Sequence, residues 1–191
     1  MVFLVLDLDE TLIHTMQITQ AFSKRLNNAT DFHFKINNQY YWVRKRPGID
    51  LFLDFAFKHF TVGIWTAAEK DYAKEICRKI LSMPQLHATK FIYSRNFCHL
   101  DSTNMPPMFV KPLAKIWAVY PEMNRMNTLM IDNNLNVMKY NPHNGIHIPD
   151  FIGQTTDKFL YKIRNLMINY YKKVPMHLPV WGIANHINGE L

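Results

Sequence analysis

An apolar run of strand length opens the chain at Val2 to Leu8 and ends among acidic residues, Asp7, Asp9 and Glu10. A continuous run this short predicts a strand covered on both faces, because a strand with one wet face alternates polar and apolar residues. Burial on both sides is the property of a parallel sheet with helices above and below it. A single domain of 191 residues buries roughly 70% of its unfolded surface, enough for such a core without a disulfide or a structural metal.

The same alternation of buried strand and amphipathic helix recurs along the chain. Phe32 to Ile36 and Tyr40 to Val43 flank Asn37-Asn38-Gln39, the pattern of a hairpin with a short Asn-bearing loop. Pro47-Gly48 punctuates, and Ile49, Phe52, Leu53 and Ala56 predict a helix over about 48–58. Phe60 to Trp65 is a second buried strand, and Tyr72, Ala73, Ile76 and Ile80 mark one face of the next helix. Lys90 to Tyr93 is a third strand, followed by a polar loop over about 96–107 that ends in Pro106-Pro107. Leu113 to Val119 is a short helix, Thr128 to Ile131 a fourth strand and Ile146 to Ile148 a fifth. Thr155-Thr156-Asp157 starts a helix with the stripe Phe159, Leu160, Ile163, Met167, Tyr170 and Tyr171.

The predicted class is α/β, a mainly parallel central sheet flanked by helices, with a small β-hairpin insertion at about 31–45. One domain is expected over 1–174. A tail over 175–191, with Pro175, Pro179, Trp181 and Gly182, is expected to pack on it, the other reading being that it joins a partner chain.

Charge narrows the partners. Lys+Arg 22 against Asp+Glu 15 gives +7, with a pI near 9.4, which favours anionic ligands. The cations are scattered apart from Arg44-Lys45-Arg46 and the set Lys158, Lys162, Arg164, Lys172 and Lys173, which reads as a solvated helix face. Most aromatics fall on core stripes and offer no stacking platform for nucleic acid. Apolar runs are short and interrupted by Asp, Lys or His, so no membrane span is expected. Without a signal-peptide pattern, Cys77 and Cys98 read as reduced thiols of an intracellular protein, nuclear or cytoplasmic. His143 and His147 straddle Gly145 and read as strand or surface histidines, not as a helical metal pair. Oligomeric state has no signature in the sequence.

In a parallel sheet of this kind, ligands bind outside the carboxyl ends of the strands. Those ends carry Asp7 and Asp9 on the first strand, Thr66 on the second and Asp132-Asn133-Asn134 on the fourth, with Lys111 after the short run Met108-Phe109-Val110. Three acidic groups in one crevice repel one another unless a divalent cation sits among them, and all-oxygen ligands with retained waters suit Mg²⁺. A phosphate monoester fits the rest. Mg²⁺ and Lys111 neutralise the dianion, Asp7 attacks phosphorus, and Asp9 protonates the leaving alkoxide and later deprotonates water. Thr66 holds a phosphoryl oxygen. Asp9 has to turn back toward Asp7, so the chain is expected to leave extended geometry between them.

The segment Leu6-Asp7-Leu8-Asp9-Glu10-Thr11-Leu12-Ile13-His14-Thr15 closely resembles the first motif of FCP/SCP-type phosphatases. These belong to the haloacid dehalogenase superfamily and include phosphatases of the RNA polymerase II C-terminal domain. Lys45-Arg46-Pro47-Gly48 resembles the segment after the family's hairpin. Trp65-Thr66-Ala67-Ala68, Phe109-Val110-Lys111-Pro112 and Met130-Ile131-Asp132-Asn133 resemble its later motifs. The match runs in order from about residue 3 to 171. It implies a Rossmann-like haloacid dehalogenase fold, Asp7 as nucleophile and Asp9 as acid/base. It also implies Mg²⁺ held by the Asp7 side chain, the Asp9 carbonyl and Asn133, with Asp132 beside it, and phosphate bound by Thr66 and Lys111. Arg95, in Arg95-Asn96-Phe97-Cys98, matches an Arg-x-x-Cys segment of the small members, and the resemblance implies that it touches substrate phosphate.

Two departures bear on loop shape: Pro112 stands where the family has Asp, and Asn134-Leu135 where it commonly has Ser-Pro. The expected partner is a phosphoserine or phosphothreonine segment of a protein, with the RNA polymerase II C-terminal domain as the leading substrate. Two other readings stay open: a phosphatase of nucleic-acid ends or small esters, and a phosphopeptide-binding module that has lost catalysis.

Overall fold

The computed structural model describes residues 1–19, 31–103, 105–173 and 180–191. In chain order its strands are β1 (Phe3–Leu6), β2 (Ile13–Ile18), β3 (Asp31–Ile36), β4 (Gln39–Lys45), β5 (Thr61–Trp65), β6 (Ile92–Tyr93), β7 (His99–Asp101), β8 (Met108–Val110), β9 (Thr128–Asp132) and β10 (Gly145–His147). The helices are α1 (Ile49–His59), α2 (Lys70–Ile80), α3 (Met83–Ala88), α4 (Ala114–Val119), α5 (Phe159–Lys173) and α6 (Trp181–Glu190).

Five strands form one parallel sheet in the order β10-β9-β1-β5-β6. The continuous apolar character of β1 now has its cause. Phe3 and Val5 enter one core layer with Trp65, Leu113, Ile116 and Met130. Leu4 and Leu6 enter the other, with Phe52, Ile64, Ile131 and Ile163. Leu6 is level with Ile64 of β5 and Ile131 of β9, so the carboxyl ends of the three central strands come out side by side. The chain runs from β1 to β5 on one side and reaches β9 on the other, which makes the β1/β9 boundary the point where strand order reverses. Ligand crevices open at such points.

A second, antiparallel sheet in the order β2-β4-β3 stands beside this edge. β3 and β4 are the predicted hairpin, closed by Asn37 and Asn38 at φ 49 and 64, the left-handed pair that a two-residue turn between strands favours. The sequence reading lacked β2, which pairs with β4 from Ile13↔Lys45 to Ile18↔Tyr40. The stretch expected as loop over about 96–107 also departs from expectation, since β7 pairs with β8 there. Polar bonds shape this hairpin. The Thr103 N–H and hydroxyl donate to Asp101 Oδ1 at 3.0 and 2.6 Å, and Lys139 donates to the same carboxylate.

Arg46 is fully buried and ties the two sheets to the helical layer. Its guanidinium donates to both Asp157 carboxylate oxygens at 2.9 and 2.8 Å and to the Thr11 carbonyl at 3.1 Å. Asp157 also accepts from the Phe159 N–H at 3.0 Å, as a helix-start residue should. Pro175 and Pro179 lie outside the described residues. Beyond them, Val180, Ile183, Ala184 and Ile187 bury in the main core. Asn188 of α6 accepts from the His147 N–H and donates to the Gly145 carbonyl, so its side chain covers part of the β10 edge. Cys77 is buried, Cys98 is partly buried, and both are free thiols. Among the described residues no helix is long and apolar enough to cross a membrane.

Candidate active site

The loop after β1 bends sharply. The Leu8 carbonyl accepts from the N–H groups of Thr11, Leu12 and Ile13 at 3.3, 2.8 and 3.1 Å. Glu10 takes the left-handed conformation at φ 59, a state that costs a residue with a Cβ roughly 1–2 kcal/mol. Its carboxylate lies 3.0 Å by each oxygen from His14 Nδ1, and its carbonyl accepts from the Phe151 N–H at 2.8 Å. This turn brings Asp9 back over the end of the sheet, as the expected departure from extended geometry requires.

Asp7, Lys111 and Asp132 meet in the interior. Lys111 Nζ donates to Asp7 Oδ1 at 2.5 Å and to Asp132 Oδ2 at 2.8 Å. Lys111 is 2% exposed and Asp132 1%. Burial works against the ammonium, but the Asp132 and Asp7 carboxylates outweigh it and hold Lys111 above its ordinary value. Burial also lifts the Asp132 carboxyl to about 6, with Lys111 opposing and Asp7 reinforcing the rise. The backbone around Lys111 is set by buried Asn141, which donates to the Lys111 carbonyl at 2.8 Å and accepts from the Leu113 N–H at 3.0 Å. That clamp spans Pro112 and needs no donor from it.

Thr66 follows β5. Its hydroxyl accepts from the Ala68 N–H at 3.0 Å and donates toward Asp9 Oδ2 at 3.4 Å. The other Asp9 oxygen, Oδ1, accepts from the Tyr72 hydroxyl, which lies 2.7 Å from Thr15 Oγ1. Burial raises the Asp9 carboxyl to about 6. Tyr72 opposes the rise, and the negative charges of Asp7 and Glu10 add to it. Three carboxyls thus share the cleft with one ammonium.

Asn133 sits between two further groups. Its Oδ1 accepts from the Thr11 hydroxyl at 3.1 Å, its Nδ2 donates to Asp150 Oδ1 at 2.8 Å, and its N–H donates back to Thr11 Oγ1 at 3.1 Å. Asn134 donates its N–H to Asp132 Oδ1 at 2.9 Å. Among the described residues no three His, Cys, Asp or Glu side chains gather as a metal cage. The oxygen donors at this end of the sheet are the Asp7, Asp9 and Asp132 carboxyls and the Asn133 amide oxygen. Such a set fits a hard cation that keeps much of its water, as Mg²⁺ does.

Arg95 stands apart from this cluster. It donates by Nε to the Ala67 carbonyl at 2.8 Å and by Nη1 to Glu69 Oε1 at 2.7 Å. It lines an open groove of about 370 Å³ with Asp9, Thr15, Tyr41, Glu69 and Tyr72. Sequence reasoning missed Tyr72 and Thr15 as neighbours of Asp9, and Asn141 and Asp150 as supports. Tyr72 had one readable sign, a hydroxyl on a helical stripe where a Phe packs equally well.

The chain is similar to known proteins over most of its length. The NLI interacting factor-like phosphatase family matches residues 2–176. A CTD phosphatase-like protein, 355R, of Invertebrate iridescent virus 3 is 29% identical over 78% of this chain and 83% of its own length. The CTD small phosphatase-like protein 3 of Caenorhabditis elegans is 32% identical over 97% of this chain and 64% of its own. The ubiquitin-like domain-containing CTD phosphatase 1 of Drosophila melanogaster is 28% identical over 76% of this chain. The structure of Fcp1, an essential RNA polymerase II CTD phosphatase, superposes with a TM-score of 0.60 at 21% identity over 92% of this chain. The chain spans 46% of the Drosophila relative and 51% of the Fcp1 chain. It belongs to the NLI interacting factor-like phosphatase family, as an FCP/SCP-type member of the haloacid dehalogenase superfamily.

Proposed function

We propose that the protein is a Mg²⁺-dependent phosphatase that acts through an aspartyl-phosphate on phosphoserine or phosphothreonine segments of proteins. The observation that carries the reading is buried Lys111 bridging Asp7 and Asp132, with Thr66 and Asp9 at the neighbouring strand ends. An RNA polymerase II C-terminal-domain-like peptide is the leading substrate, supported by what several relatives are named for.

Asp7 is the nucleophile. Its oxygen forms a bond to phosphorus as the bond to the serine oxygen breaks. Asp9, as an acid, gives its proton to that departing oxygen. Water then attacks phosphorus, Asp9 takes the water proton back, and the Asp7–phosphorus bond breaks to release phosphate. Lys111 and Thr66 hold the phosphoryl oxygens, and Lys111 supplies charge where the transition state becomes more negative. Asp7, the Asp9 carbonyl and Asn133 would hold Mg²⁺, with Asp132 beside it, and when bound the ion would supply the positive charge that lets a carboxylate approach the phosphate dianion. Arg95, on the rim of the groove, contacts the flanking peptide.

The test is phosphate release from a panel of phosphoserine peptides with Mg²⁺, with EDTA and with the Asp7→Asn variant. Release that needs Mg²⁺ and is abolished in Asp7→Asn is the expected result. Faster turnover of a 3′-phosphorylated oligonucleotide or a small ester would move the substrate class. Phosphopeptide binding with no turnover of any substrate would make the chain a binding module.

A further inference from the structure

Asp9 has two carboxylate oxygens, each facing a hydroxyl, and the two are held unequally. Oδ2 faces the Thr66 hydroxyl at 3.4 Å, on the side where the reading above seats the phosphoryl group. Oδ1 accepts from the Tyr72 hydroxyl, which in turn lies 2.7 Å from Thr15 Oγ1. Tyr72 is held by rings, with Phe34 at 5.9 Å and Tyr41 at 5.6 Å between centroids, so its hydroxyl has little freedom to follow Asp9 elsewhere.

The chain of hydroxyls has a direction. A phenol carries one proton, and an ionised carboxylate has none to give. Tyr72 therefore donates to Asp9 Oδ1, and the Thr15 hydroxyl donates to Tyr72. Tyr72, whose oxygen already receives a proton from Thr15, holds Oδ1 closely, whereas the Thr66 hydroxyl meets Oδ2 only at 3.4 Å and can turn to accept, so a proton that joins Asp9 goes to Oδ2. We propose that Tyr72, backed by Thr15, is a positioning residue that places the acid proton of Asp9 on Oδ2, facing the leaving group.

The inference rests on the phosphatase reading and adds the atom from which the proton departs. As the ester P–O bond breaks, its electron pair passes to the serine oxygen, and that oxygen takes the proton of Asp9 Oδ2 while Asp7 bonds to phosphorus. In the second half, the attacking water loses its proton to the same Oδ2 as the Asp7–phosphorus bond breaks. Throughout, the Tyr72 proton stays on Tyr72.

Placement of an acid proton matters only where the leaving group needs one. A serine alkoxide needs it, whereas a nitrophenolate leaves without it. The test compares wild type, Tyr72→Phe, Thr15→Val and Asp9→Asn on a phosphoserine peptide and on p-nitrophenyl phosphate. General acid catalysis contributes roughly 10²–10⁴-fold, so losing its aim in Tyr72→Phe lowers kcat on the peptide by roughly 10–100-fold. On the aryl ester, kcat falls by less than about 3-fold, because no acid is called on and the Asp9 carboxylate still takes the water proton. Thr15→Val shows the same pattern with a smaller drop, whereas Asp9→Asn loses kcat on both substrates, because hydrolysis of the aspartyl-phosphate needs the base whatever the leaving group.

Peptide affinity, read by fluorescence anisotropy in EDTA, stays the same in Tyr72→Phe. Equal losses of kcat on both substrates would make Tyr72 a packing residue and overturn the inference. Weaker binding with unchanged kcat would make it a peptide contact and overturn it as well. A wild type that cleaves neither substrate sinks the phosphatase reading and this inference together, a result distinct from a working enzyme whose Tyr72→Phe variant loses both alike.

Discussion

Asp9 keeps a carboxyl in the fold that its surroundings make reluctant to ionise, and this has a consequence for stability. Its ordinary value is 3.8 and its folded value about 6, raised by burial and by the neighbouring negative charges against the Tyr72 hydrogen bond. A carboxyl raised on folding binds its proton more tightly in the native state. Its contribution to stability is complete below 3.8 and is lost as the pH rises through about 6. Asn at this position has nothing to ionise. In EDTA, Asp9→Asn therefore gains melting temperature relative to wild type as the pH goes from below 3.8 to above about 6. Melting curves of the two proteins at both ends of that window check it, and a difference that shrinks with rising pH would refute it. The cluster at this scale was legible where a residue type has few other uses. Acids at strand ends and a Lys after an apolar run place Asp7, Asp9, Asp132 and Lys111 at one end of the sheet, where the structure brings them together. Tyr72 was not legible, because its ring satisfies a helical stripe and only the position of its hydroxyl betrays another use. Asn141 and Asp150 act on residues 17 to 30 positions away in sequence, and no local pattern records such partnerships.

Gly63 shows how an element can depend on a side chain that is missing. It sits in the middle of β5, where a residue with a Cβ ordinarily stabilises a strand by roughly 0.5–1 kcal/mol over glycine. A Cβ here would lie 2.3, 2.5 and 2.8 Å from atoms of the Phe91 ring. That ring is buried and stacked on Tyr93 at 4.6 Å and Tyr120 at 5.5 Å, so it has nowhere to retreat. Gly63→Ala is expected to destabilise by about 1–3 kcal/mol through overpacking, a fall of roughly 2–12 °C in melting temperature. Phe91→Leu in the same chain should recover part of the loss, and a rise in melting temperature for Gly63→Ala alone would show that the ring gives way. Elements with a clear period were readable: the β3–β4 hairpin, helices α1, α2 and α5, and the buried strands of the sheet. β2 escaped because its residues, Ile-His-Thr-Met-Gln-Ile, mix polar and apolar types with only Ile13 fully covered. The β7–β8 hairpin escaped because Asp101, Thr103 and Lys139 shape it by polar bonds, which leave no hydrophobic alternation to read.

At the scale of the molecule, the proposed reaction brings a phosphate dianion to a protein of net charge +7. Two kinds of positive charge act on it, and salt separates them. Lys111 is 2% exposed and surrounded by protein, and charges so enclosed are screened little by mobile ions. Most of the remaining cations lie at the surface, where the Debye length falls from about 10 Å at 0.1 M salt to about 3 Å at 1 M. Salt should therefore act on the approach of a phosphopeptide and leave the step within the cleft nearly untouched. Over that range kcat/KM is expected to fall by roughly tenfold, the low end of what surface potentials contribute to association, while kcat moves by less than about twofold. The division shows in the peptide as well. Added Asp or Glu beside the phosphoserine steepens the dependence, and added Lys flattens it, because the surface field acts on the whole ligand and Lys111 on the phosphate alone. A salt series on three peptides of different net charge measures both slopes. If kcat and kcat/KM fell together, the field would be acting at the reacting phosphate itself, and the separation between a screened surface and an enclosed Lys111 would fail.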